Sequence, residues 1–160
     1  MPELTFDLDG LAETQQALDE MPELLGRAVD DAITIGAAEM EDAVVGRTPV
    51  GATGLLAGSI LGDTQGTGLG TVGRVFSQDE PAKVMAVETG RRPGRMPPIA
   101  PIRLWATRVL GDPSAAWPIA RAIGRRGTPG AHMFQRAWDA SAADVRDRIV
   151  DRILRSLGGR

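Results

Sequence analysis

Apolar residues recur at spacings of three and four through the first third of the chain. Leu25, Val29, Ile33, Gly36, Met40 and Val44 fall on one stripe, with Arg27, Asp30, Thr34 and Glu41 opposite. This pattern predicts an amphipathic helix over 23–46, roughly 36 Å long at the helical rise. Ahead of it, residues 11–21 read as a short helix stopped or kinked at Pro22, which has no N–H to donate. Earlier still, Leu4, Phe6 and Leu8 alternate with Thr5 and Asp7, the period of a half-buried strand that Gly10 ends.

Pro49 pushes Thr48 away from helical geometry, so the long helix must stop near Arg47. Gly51 and Gly54 admit positive φ, Thr53 can hydrogen-bond its own turn, and Leu55, Leu56 and Ile60 bring the chain back to the core. Residues 61–73 are Gly-rich and read as a loop or hairpin connection. Residues 72–76 and 83–87 read as strands separated by the polar stretch 77–81. Pro93, Pro97 and Pro98 make 90–98 an exposed basic loop, followed by helices over 102–110 and 115–126, with Pro118 tolerated only in a first turn.

Glycines at 127 and 130 break the chain before a last helix over 132–157. It carries Phe134, Trp138, Ala142, Val145 and Ile149 on one face and Val150, Leu154 and Leu157 on nearly the opposite one. Two apolar faces need two partners: a wide buried face within one monomer, or a second subunit on the end of the helix. On its wet side Asp144 with Arg148 and Asp151 with Arg155 are favourable i,i+4 pairs. The expected fold is α+β: a small, mainly antiparallel sheet against a long helix and a C-terminal helix. It forms one domain over 1–160, with a Gly-rich loop near 62–73 and a basic Pro-rich loop near 90–101.

Composition sharpens this picture. Aromatic residues make up 4% of the chain and Tyr is absent, so the core must come from Leu, Ile, Val, Ala and Met. Without Cys there is no disulfide or thiolate chemistry. The first ten residues lack the basic and apolar regions of a signal peptide, and no apolar run approaches the ~18 residues of a membrane span. The net charge of -3 hides a strong polarity. Residues 1–45 hold 12 acidic side chains and one basic one, Arg27, whereas residues 91–126 hold eight Arg and one acid, Asp112. These are either two solvated faces or surfaces that meet different neighbours.

The sequence offers no catalytic set. Gly68, Gly70 and Gly73 spell G-x-G-x-x-G, but the strand-like RVFSQDEP follows them instead of the helix N-terminus that holds a pyrophosphate. There is no P-loop. His132 is the sole His, placed near the start of the last helix, and no Ser sits in a nucleophile elbow. Glu39, Glu41 and Asp42 read as surface carboxylates on a helix without the wrapping turn a hard cation needs. Glu88, next to Arg91 and Arg92, reads either as one half of a local or intersubunit ion pair or as an exposed strand-end charge. No enzyme activity, cofactor or metal is expected.

Three segments, taken in order, carry a resemblance: TPVGATGLLAGSI over 48–60, VETG over 87–90 and GTPGAHMFQRAW over 127–138. Behind a long amphipathic helix they resemble the tail-completion, or neck, proteins that join capsid to tail in long-tailed bacteriophages. Pro49, Val50, Thr53, Gly54, Leu55, Ser59 and Ile60 fit the first motif. Val87, Glu88 and Gly90 fit the second, and Gly127, Phe134 and Ala137 the third. Gly51, where an acidic residue is common, and Thr89, where an aromatic is common, depart from the pattern.

The resemblance implies a structural virion protein assembled in the host cytoplasm, one subunit of a ring that is often sixfold. Such a ring meets neighbouring connector and tail-tube proteins, and DNA passes through its lumen; no membrane partner is implied. A minor tail protein and a nucleic-acid-binding module using the Arg-rich segment are the alternatives. Candidate interface residues are Glu88, Arg91, Arg92 and Arg95 in one region and Val150, Leu154 and Leu157 in another.

Overall fold

The computed structural model describes residues 11–158; the strand expected over residues 4–8 lies outside them. A single helix, α1, runs Leu11–Val45. Of the stop or kink expected at Pro22, the stop does not occur, and the helix continues through that residue. Leu18 and Met21 beside that proline are 62% and 47% exposed, so the carbonyl left without a partner is open to water. All the described side chains from residue 15 to residue 23 are exposed.

Beyond that stretch, α1 is buried on more than one side. Ala28, Ala32, Ala37 and Val44 are each at most 7% exposed. Small side chains here let other elements lie close to the helix. After α1 the chain turns through Gly54, at φ +68°, and a short 3-10 turn over Ala57–Ser59 into β1, Ile60–Gln65. A tight connection leads to β2, Val72–Ser77, which pairs antiparallel with β1 from Ile60 opposite Ser77 to Gln65 opposite Val72. Residues 61–65, expected in a loop, are therefore strand. Gly62 and Gly73 allow this, because a Cβ at either would press on α1 at Ala37 or Ile33. Loop-like composition here reflects a hairpin laid flat on a helix.

A further correction is α2, Pro81–Glu88, a helix where residues 83–87 were expected to be a strand. Pro81 sits in the first turn, where its missing N–H costs nothing. The Asp79 carboxylate accepts from the Glu80 N–H and, at 3.0 Å, from Lys83 Nζ. Those bonds hold its pKa below the usual carboxylate range. Val84 and Val87, three apart, share the helix face that packs on the core.

The chain then enters β3, Gly90–Arg91, and a lobe of two helices, α3 (Ile99–Trp105) and α4 (Ala116–Arg126). A wide π turn over Ala106–Leu110 extends α3. Ala106, Ala116 and Ala120 close the contact between the helices, each at most 2% exposed. Strand β4, Thr128–Pro129, pairs antiparallel with β3 and returns the chain to α5, Met133–Gly158. The two-residue pair is the gate of the lobe.

Helix α5 packs antiparallel on α1. Thr48 meets Met133 at one end, and Gly36 approaches Ile149 and Val145 farther along. The fold is thus α+β, with small antiparallel sheets beside a long helix and a C-terminal helix. None of its described helices is long and apolar enough to cross a membrane.

Candidate functional site

The three motif segments converge where α1 ends, α2 ends and α5 begins. Val44, Ile60, Met133 and Ala137 form one buried cluster, onto which Leu56, Val84, Val87 and Phe134 pack. Thr48 is 5% exposed; its hydroxyl donates to the Val44 carbonyl at 2.8 Å and lies 3.4 Å from Met133 Sδ. Pro49 follows it, exposed, at the helix stop. Ser59 Oγ meets Ser77 Oγ at 2.7 Å, tying the first motif to the end of β2. Leu55 departs from expectation: it is 67% exposed, and Leu56 and Ile60 alone return to the core. Thr53 makes no side-chain hydrogen bond among the described residues, and Gly51 does not take positive φ.

Glu88 is neither an ion-pair partner, among the described residues, nor a strand-end charge. Its carboxylate accepts from the backbone N–H groups of Phe134 and Gln135, both at 3.2 Å, and so caps α5. Its own carbonyl accepts from the His132 N–H at 3.0 Å. Four N–H groups at a helix start lack internal partners, and the positive end of the helix favours a carboxylate. Spacing along the chain hid this role, because the helix it serves begins 45 residues later. His132 takes a left-handed φ of +50° just before that helix.

Gly90 and Gly127 hold the neighbouring strand pair. Both have positive φ, +80° and +72°, and a Cβ on either would strike backbone of the opposite strand. Arg91, half-buried in that pair, donates to the Arg95 carbonyl, whereas Arg92 and Arg95 are exposed. Arg91, Arg92 and Arg95 thus share one loop with Glu88 at its base. None of the eight Arg over 91–126 forms an ion pair with a described carboxylate. Arg108 reaches the Ala52 carbonyl at 2.8 Å, linking the lobe to the first motif, and Arg121 stacks on Trp117. Asp112, the lobe's one acid, is occupied by Ser114, whose hydroxyl and N–H hold its pKa down.

Val150 and Leu154 are 49% and 62% exposed, while Leu157 is half-buried. They lie far along α5 from Glu88 and form a separate surface. Trp138, expected to share the buried stripe, is 64% exposed, because Met133 and Ala137 are the residues turned into the core.

Several carboxylates expected at the surface are engaged instead. Glu39 takes Arg148 at 2.8 Å and Arg152 at 2.5 Å, so Arg148 pairs across helices and not with Asp144. Partial burial raises the Glu39 pKa, but the hydrogen bonds and charges of the two arginines outweigh it and hold the group below its ordinary range. Glu41 accepts from the Gly62 N–H at 2.7 Å, and Asp30 from the Gly68 N–H at 2.7 Å and the Thr71 hydroxyl. Asp30 and Glu41 therefore dock the hairpin onto α1. A polar residue on a helix reads as solvated until another element is known to lie beside it. The expected pair Asp151 with Arg155 forms, at 2.8 Å.

An open apolar groove of about 540 Å³ lies between β2 and α5. Its floor is α1 at Ile33, Gly36, Ala37 and Met40, and its walls include Gly73 and Val75 on one side and Phe134, Trp138 and Ile149 on the other. No cluster of His, Cys, Asp or Glu among the described residues is suited to a metal ion. The arrangement defines an α+β protein whose polar groups fasten elements together. Comparison with protein-family models, with curated proteins and with solved structures gives no match.

Proposed function

We propose that this protein is a structural subunit of the neck or tail of a long-tailed bacteriophage, part of a ring that completes the tail or joins it to the capsid connector. One observation carries the reading. The three segments that resemble neck-protein motifs, separated by long stretches of chain, meet in a single junction, with Glu88 of the second capping the helix of the third and Thr48 of the first against Met133. Residues that resemble a family signature also act as one mechanical unit. The exposed apolar residues of α5 and the lobe's arginines, without carboxylate partners among the described residues, supply surfaces for neighbours. The protein works by occupying a position between larger assemblies, at virion stoichiometry.

Removing its gene is expected to leave DNA-filled heads and separate tails, and adding back stoichiometric protein to restore joining. Restoration by trace, recyclable protein would instead identify an enzyme or chaperone. Normal yields of joined particles without it would exclude the neck role.

A second reading rests on the eight arginines over 91–126, which have no carboxylate partner among the described residues: a polyanion-binding surface. Under it the isolated protein binds DNA with an affinity that falls steeply with salt. Weak binding together with self-association favours the ring.

A further inference from the structure

The groove between β2 and α5 has one wall that is a strand edge. Among the described residues β2 pairs with β1 on one side only, and no β1 residue lines the groove, so the groove runs along the edge of β2 away from β1. An unpaired edge beside an apolar floor is a site for an added strand. The sequence holds a strand pattern that the two described sheets do not use: Leu4, Phe6 and Leu8 apolar, with Glu3, Thr5 and Asp7 between them. A strand placed with Leu4, Phe6 and Leu8 toward α1 would set Glu3, Thr5 and Asp7 on the outer face of the sheet. That face carries Arg74, which has Asp63 on its β1 side alone. Shape and pleat agree.

The same copy cannot supply this strand while α1 is one helix. Leu11 and Ile33, where the groove floor begins, are about 33 Å apart along the helix axis. A chain doubling back from Leu11 at about 3.4 Å per residue carries Leu4 at most about 24 Å and Leu8 about 10 Å. Both fall short of the floor. Along the same part of α1 Leu18 and Met21 are uncovered. We therefore infer that residues 2–8 of a second copy add to the edge of β2, with their apolar side chains in the groove, so that each copy extends an arm to the next. Arm and groove are different surfaces, so the contact runs head to tail and closes into a ring when the rotation per copy allows it. This inference does not depend on the virion reading, since it concerns the purified chain alone.

The mass of the full chain, measured by light scattering, is expected to exceed that of a monomer. It should fall to the monomer value when residues 1–9 are removed or when Phe6→Asp puts a charge in the groove, with helical circular dichroism retained in both. Trp138 lines the groove, so its emission should shift to the red in the shortened chain and return when a synthetic MPELTFDLDG peptide is added. Pro22→Ala, which strengthens a straight α1, should leave the association intact. A monomeric full chain whose Trp138 is already shielded would mean that its own arm folds back at Pro22, and would overturn the inference. So would an associated mass that neither the deletion nor Phe6→Asp reduces, or an association that Pro22→Ala abolishes.

Discussion

Charge does different work in the two halves of this molecule. In the body built from α1, the β1–β2 hairpin and α5, carboxylates meet arginines or backbone donors of other elements: Glu39 with Arg148 and Arg152, Asp63 with Arg74, Asp30 and Glu41 with the hairpin. In the α3–α4 lobe eight arginines have no carboxylate partner among the described residues, and the one acid caps a turn. The body spends its charges on holding itself together. In the lobe the arginines meet backbone carbonyls or an aromatic ring, as Arg108 does at Ala52 and Arg121 at Trp117, or stand exposed. A single polarity along the sequence therefore has two physical meanings, and net charge alone distinguishes neither.

The junction between the halves is where the comparison breaks most readily. Gly127→Ala places a Cβ against the Arg91 carbonyl at a φ of +72°, and is expected to lower stability by about 3 kcal/mol. Urea unfolding would show the loss, and a change below about 1 kcal/mol would mean that the lobe is not held by its strand pair.

Next in size is the cap. Glu88→Ala leaves the Phe134 and Gln135 N–H groups without their acceptor and should cost about 1 to 2 kcal/mol, whereas Glu88→Gln, which keeps an acceptor, should cost about half as much. Equal losses for the two substitutions would point to packing and not to the cap.

The body's ion network gives a smaller, pH-dependent effect. Because the folded pKa of Glu39 is lowered, its contribution is present above the unfolded value near 4.5 and is lost as pH falls through the folded one. At pH 7 the network should be worth about 1 kcal/mol, given that Arg148 is half exposed. The stability gap between the native chain and Glu39→Gln should therefore close on acidification, and a gap that stays constant down to pH 2 would refute the linkage.

Smallest of all, replacing Arg92, Arg95, Arg121 and Arg125 with Ser should change stability by less than about 0.5 kcal/mol. The same four changes should flatten the salt dependence of any DNA binding by the chain. Loss of stability comparable with that of Glu88→Ala would show that the lobe's arginines serve the fold after all.

Much of the helical framework was legible because its signals are local. Pro49 ends a helix whose apolar spacing is regular, Gly127 and Gly130 separate α4 from α5, and Pro118 stands in the first turn of α4 as its missing N–H requires. Short segments were less legible. Val84 and Val87 suit a strand or a helix, and Pro81 with the Asp79 to Lys83 contact decides for the helix. Residues 61–65 have a loop's composition because glycine is what a strand needs when it lies against a helix backbone. The candidate site was visible as motifs but not as an arrangement. Glu88 was singled out, yet its partner, the start of α5, could not be read from neighbours in sequence.

By itself, then, the sequence determined the long helix from residue 23 to its stop, the terminal helix, the basic Pro-rich loop beyond the strand residues Gly90 and Arg91, and the opposed charge of the two regions. Each follows from periodicity, from proline's missing donor or from the sign of side chains, none of which depends on distant contacts. Only the tertiary structure decided that Glu88 caps α5, that Asp30 and Glu41 hold the hairpin, that Glu39 gathers two arginines and that a groove lies open beside β2. Those facts join residues far apart along the chain, and a polar side chain has no fixed role until folding sets a donor or a charge within reach.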